Sequence, residues 1–139
     1  MKRLLLLAVA VVLALSSTVA EAATNDGDRI LGEYKTVKDG AITTVRISKV
    51  GENAYKAQVV QVVNERSPNT EPNIPANQIV LIERVCYNSK KDVWDDGEIY
   101  DPTNGEMYRV VLSFESDTTL RVRGYLGPFS KSLYWEKIN

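Results

Sequence analysis

The chain has 139 residues with 17 basic and 18 acidic side chains, no histidine, one cysteine and a formal net charge of −1. At 44% hydrophobic and 25% charged residues it has the composition of a globular domain, not of a disordered or fibrous chain. The charge balance gives no basic footprint for nucleic acid, the missing histidine removes Ser-His and Cys-His nucleophile pairs and His-containing zinc sites, and the lone Cys86 excludes an intramolecular disulfide.

The chain starts with a targeting pattern. Lys2 and Arg3 precede an unbroken apolar run from Leu4 to Leu15, shorter than the about 20 residues a membrane span needs. Ala20-Glu21-Ala22 supplies a small-x-small cleavage pattern. The reading is a signal peptide over 1–22, a mature chain 23–139 forming one domain, and release into a periplasm or the medium without stable membrane insertion. An uncleaved anchor is the alternative. No cysteine stands directly after the apolar run, so lipid modification is not expected.

Thr24 to Arg29 is polar and reads as a loose lead-in. Ile30 to Thr36 is the first predicted strand, closed by the turn residues Lys38-Asp39-Gly40. Ile42 to Lys49 is the second, with Val45 and Ile47 on the face opposite Thr44, Arg46 and Ser48. Gly51-Glu52-Asn53 turns into a third over Ala54 to Val63, where the doublets Val59-Val60 and Val62-Val63 break the alternation and suggest a bulge or two-sided burial. Asn64 to Gln78 carries Pro68, Pro72 and Pro75 and reads as a long irregular loop. Ile79 to Tyr87 is the fourth strand, and Asn88 to Lys91 a turn. Trp94 then leads through Asp95-Asp96-Gly97 into a short fifth strand, Glu98 to Tyr100.

Asp101-Pro102-Thr103-Asn104-Gly105 is a strong hairpin signal, because proline presets the turn and Asn-Gly tolerates positive φ. Beyond it Tyr108, Val110, Leu112 and Phe114 share one face of a sixth strand, with Val111 out of pattern. Leu120 and Val122 alternate with Arg121 and Arg123 in a seventh. Gly124 to Phe129 reads as a flexible aromatic loop and Ser132 to Ile138 as the eighth strand. About eight evenly spaced strands and no amphipathic helix predict an all-β fold, a small antiparallel barrel or sandwich.

The run W-x-x-G-E-I-Y-D-P-x-N-G-x-x-Y from Trp94 to Tyr108, the segment T-L-R-V-R-G-Y-L-G from Thr119, and the terminal Tyr134-Trp135 resemble a family of exported bacterial proteins called domain of unknown function 2147. Gly32-x-Tyr34 is similar to that family's opening motif. The match is close over Trp94 to Trp135, loose over Ile30 to Val63, and absent from Asn64 to Tyr87. The resemblance implies a lipocalin-like barrel of the calycin group, and favours a periplasmic location. It also implies that an aromatic near the first strand packs beside a late-strand arginine to close one end. Tyr34 with Arg121 or Arg123, next to Trp135, would fill that structural role by cation–ring stacking.

Sites of chemistry are few. Cys86 reads as a buried small apolar residue at a strand end. Asp92, Asp95, Asp96, Glu98, Asp101 and Glu106 read as an exposed acidic rim, since their spacing fits no calcium loop. No catalytic residues, metal or cofactor are expected, and an enzyme is not the expectation. An eight-strand barrel is either filled by side chains or wide enough for one small ligand, and the sequence leaves both open. In the hollow case Tyr55, Tyr108, Val110, Leu112 and Phe114 line a cavity for a small apolar or amphipathic ligand. In the filled case the protein is a cell-envelope interaction module that works through its surface.

Overall fold

The computed structural model describes residues 26–38, 40–63 and 78–139. The expected signal peptide and most of the Asn64 to Gln78 loop lie outside the described residues. A short 3-10 segment, Asp26–Ile30, leads into eight strands: β1 Gly32–Lys38, β2 Ala41–Gly51, β3 Ala54–Val63, β4 Val80–Asn88, β5 Val93–Asp101, β6 Glu106–Phe114, β7 Thr119–Leu126 and β8 Phe129–Lys137. Each pairs antiparallel with its sequence neighbour, and β8 returns to β1, closing the barrel. Closure leaves no long sheet edge exposed to a second chain.

The β1–β8 seam is short. Only Tyr34 with Lys137 and Lys35 with Glu136 form ladder pairs. Backbone bonds from Ile138 N to Glu33 O (2.8 Å) and from Glu33 N to Asn139 O (3.0 Å) extend it towards the chain terminus.

Period-two alternation places one side-chain set inside. Tyr34, Val45, Ile47, Tyr55, Ile82, Trp94, Val110, Leu112, Leu120, Val122 and Trp135 form a buried cluster. It fills one half of the barrel, and Trp94 and Trp135 are its largest fully buried side chains. Arg121, Arg123 and Ser113 lie on the outer face as the alternation requires.

Three segments differ from the sequence reading for identifiable reasons. The expected lead-in to Arg29 is the 3-10 segment, with Gly27 and Ile30 buried against the barrel end. The Asp95-Asp96-Gly97 stretch is a bulge inside β5, not a lead-in: the register shifts between the Trp94–Leu112 and Gly97–Val110 pairs, and Asp96 takes a φ of 64°. The expected Gly124 to Phe129 loop is a tight hairpin, because β7 continues to Leu126, β8 starts at Phe129, and these two residues pair directly. The bulge read at Val59-Val60 is present. Thr44 pairs with Gln61 and Val45 with Val59, leaving Val60 unpaired.

Candidate functional site: a half-filled barrel with one open end

One barrel end is plugged. Trp94 is fully buried and its indole N–H donates to the Gly27 carbonyl at 3.2 Å. The Tyr34 hydroxyl donates to the Ile30 carbonyl at 2.8 Å, and the Tyr55 hydroxyl to Asp28 Oδ1 at 2.7 Å. Three inward side chains from β1, β3 and β5 thus hold the 3-10 segment as a lid. Burial pushes the Tyr34 phenol pKa up, so it stays a neutral donor. Arg29 lies over Trp94, 4.8 Å from the ring centroid, with Tyr87 and Phe114 also beneath its guanidinium. Its Nη2 donates to Asp92 at 2.6 Å, and the Tyr87 hydroxyl donates to the same oxygen at 2.7 Å. These two donors hold the Asp92 carboxyl below the usual carboxylate range.

This arrangement corrects the expected closing pair. The arginine stacked at the plugged end is Arg29, not Arg121 or Arg123. Tyr34 faces inward, whereas both late-strand arginines face outward and cannot reach it. Arg121 Nε donates to Ser132 Oγ at 2.9 Å. Arg123 donates to Ser130 and lies 5.1 Å from the Tyr125 ring centroid. Trp135 is buried with its ring centroid 6.5 Å from that of Tyr34. The signal for Arg29 was its place just before a buried Ile30, in a stretch too short to show any periodicity.

Among the described residues the other end is open. A cavity of about 560 Å³ occupies that half of the barrel. Val59, Val122 and Trp135 form its floor, and Leu81, Ile99 and Tyr108 form part of its wall. Thr36 and Thr43, cross-strand partners on β1 and β2, add hydroxyls to the opposite wall. Asp101, Asn104, Leu126, Phe129 and Lys131 stand around the mouth. At the mouth Asn104 Nδ2 donates to the Tyr108 hydroxyl (2.8 Å), which donates to Glu106 Oε2 (3.0 Å). The Asn104 donor pulls the Tyr108 pKa down, but the Glu106 acceptor, desolvation and the charges of Glu106 and Asp101 outweigh it and the net direction is up.

Of the five residues expected to line a cavity, only Tyr108 does so. Tyr55, Val110 and Leu112 are fully buried in the packed half. Phe114 packs edge-on to Trp94 with ring centroids 5.6 Å apart, at the plugged end. The reason is directional. β6 runs from Glu106 at the mouth to Phe114 at the plug, so one strand's inner face crosses from cavity to core. Alternation identifies which side of a sheet is inside, but not how deep a residue sits.

The acidic residues do not form one rim. Asp92 is ion-paired near the plug, and Asp95 accepts from Asn88 there (3.3 Å). Asp101 and Glu106 stand at the mouth, at the far end of β5 and the start of β6. Among the described residues no group of three His, Cys, Asp or Glu side chains is placed to hold a metal ion. Cys86 is half-buried and free. Among the described residues no helix is long and apolar enough to cross a membrane.

Comparison with known proteins agrees with this geometry. A family profile described as "Uncharacterized protein conserved in bacteria (DUF2147)" matches residues 32–137, from the first residue of β1 to the last of β8. The chain belongs to this family. A solved structure, protein HP1028 from the human pathogen Helicobacter pylori, described as belonging to the lipocalin family, superposes with a TM-score of 0.60 at 16% identity. The match covers 78% of this chain and 82% of that one. At that identity the likeness is one of fold. No curated protein matches. This DUF2147 member is therefore a lipocalin-like barrel whose motif residues serve the architecture: Trp94 seats the plug, and Asp101 and Asn104 build the turn at the mouth.

Proposed function

We propose that this DUF2147 protein is an exported binding protein, not an enzyme, that holds one small apolar or amphipathic molecule in the open half of its barrel. The observation that carries the reading is the cavity itself. Its volume lies within the roughly 300–1,000 Å³ typical of small-molecule sites, and its wall is mostly apolar with polar groups confined to one side and the rim. Barrels of eight strands are wide enough to hold one small ligand when side chains do not fill them. Export is supported by Lys2 and Arg3, the Leu4 to Leu15 run and Ala20-Glu21-Ala22. On this reading the periplasmic or secreted protein begins at Ala23.

The test is titration with an uncharged solvatochromic probe, in the wild type and in Gly124→Leu. Gly124 lines the cavity, and a Cβ there would make only ordinary contacts with Tyr108 (3.7 Å) and Ile99 (3.9 Å). A leucine would therefore project into the empty space without displacing backbone. The wild type is expected to bind one probe per barrel with a blue-shifted emission, and Gly124→Leu to lose affinity by about tenfold or more while keeping its β-sheet circular dichroism. Equal binding by both proteins would place the probe elsewhere and remove the support for a cavity ligand.

A further inference from the structure

The polar groups of the cavity are not distributed evenly, and their hydrogen bonding sorts them into two kinds. On the β5–β6 side the Asp101, Thr103, Asn104 and Tyr108 side chains at the mouth are already engaged. Asp101 Oδ1 accepts from both the backbone N–H (2.9 Å) and the hydroxyl (2.6 Å) of Thr103. Asn104, Tyr108 and Glu106 form the chain described above, with Asn104 Oδ1 also accepting from Glu106 N at 2.9 Å. On the β8–β1–β2 side Ser130 accepts from Arg123, but three other groups are uncommitted. The Lys131 ammonium and the Thr36 and Thr43 hydroxyls make no hydrogen bond or ion pair with another described residue.

Lys131 is the one cation among the described cavity-lining residues. It is on the inward register of β8, two residues from Leu133 and four from Trp135, and it pairs with Gly124, whose missing side chain leaves its stem unobstructed. Thr36 and Thr43 sit deeper on the adjoining strands. Across the barrel, Leu81 and Ile99 present only hydrocarbon. Among the described residues the mouth is therefore polarised: a carboxylate tied into the turn on one side, an uncommitted ammonium above two free hydroxyls on the other.

Resting on the binding function proposed above, we infer that the ligand class is an amphipathic anion, with its apolar chain on the Val59–Val122–Trp135 floor and its anionic head at the mouth against Lys131. An ammonium pairs with a carboxylate or phosphate oxygen in a charge-assisted hydrogen bond. The fixed Asp101 charge repels the same head and so selects its orientation. The apolar chain supplies most of the affinity and the head supplies the discrimination. A carboxylate and a phosphate monoester share this chemistry.

The experiment compares ligands of one chain length that differ only in the head: dodecanoate, dodecyl phosphate, dodecanol and dodecylammonium. They compete against the uncharged probe in the wild type, Lys131→Gln, Lys131→Arg and a remote control, Lys91→Gln, in the exposed β4–β5 turn. For a rim ion pair the wild type is expected to prefer an anion over dodecanol by roughly three- to tenfold, falling towards unity in high salt. That ratio is expected to collapse in Lys131→Gln and to persist in Lys131→Arg and Lys91→Gln. A preference for both anions, or for one only, supports the inference and identifies the head. No anion preference, a preference for the ammonium, or a ratio unchanged in Lys131→Gln overturns it while leaving the cavity function standing. Failure of the wild type to bind even dodecanol and the neutral probe overturns both.

Discussion

At the scale of single residues, the plugged end depends on a few side chains with two functions each. Trp94 both fills the core and donates to the Gly27 carbonyl. Trp94→Phe removes that donor and part of the packed volume, and is expected to cost about 2–3 kcal/mol in chemical denaturation. Gly27 lies where any side chain would collide: a Cβ there would sit 2.7 Å from the Tyr55 hydroxyl and 2.8 Å from Tyr87 Cβ. Gly27→Ala is thus expected to loosen the 3-10 segment by about 1–3 kcal/mol, read as faster amide exchange around Asp26–Ile30. Asp92 gives a pH dependence. Its pKa is held down by the donors from Arg29 and then Tyr87. A depressed carboxyl contributes stability above its unfolded pKa of about 3.9 and loses it as pH falls through the lower folded value. Wild type and Asp92→Asn should accordingly differ slightly in Tm at neutral pH, with the difference vanishing on acidification below about pH 4. The effect is small because the pair is exposed.

At the scale of elements, the β5 bulge is the most sensitive joint. A Cβ on Gly97 would lie against the Arg84 carbonyl oxygen of β4, so Gly97→Ala is expected to destabilise the barrel by about 2–4 kcal/mol, read in urea unfolding. The conservative change thus falls on a residue that the sequence presents as an ordinary turn glycine. Strand legibility follows the same logic throughout. β2, the first half of β3 and the start of β7 alternate cleanly because one face is core, and β6 does so apart from Val111, so their positions could be read from period two. The Val60 bulge announced itself through the valine doublets. The DDG bulge did not, because turn-forming residues serve a bulge and a loop equally well. Cavity depth was not legible either. Val110 and Leu112 carry the same alternation as Tyr108, and only the pairing of β6 across Trp94 shows that they lie below the floor. Lys131 was overlooked because a lone lysine in a strand reads as solvent-facing until its register with Gly124 is known.

At the scale of the whole molecule, the barrel divides its interior between a packed half and an open one. Most fully buried side chains lie in the plugged half or on the cavity floor, so the packing that stabilises the fold is concentrated there. A ligand that enters the open half should stabilise the folded state by mass action, about 2.7 kcal/mol at a hundredfold excess over Kd. Native mass spectrometry tests the hollow barrel most directly, on wild type and Gly124→Leu purified without detergent and incubated with an envelope lipid extract. The expected result is one discrete adduct per wild-type barrel, lost on denaturation and absent from Gly124→Leu. A bare wild-type mass, or an adduct that persists unchanged in Gly124→Leu, would contradict a ligand-holding cavity.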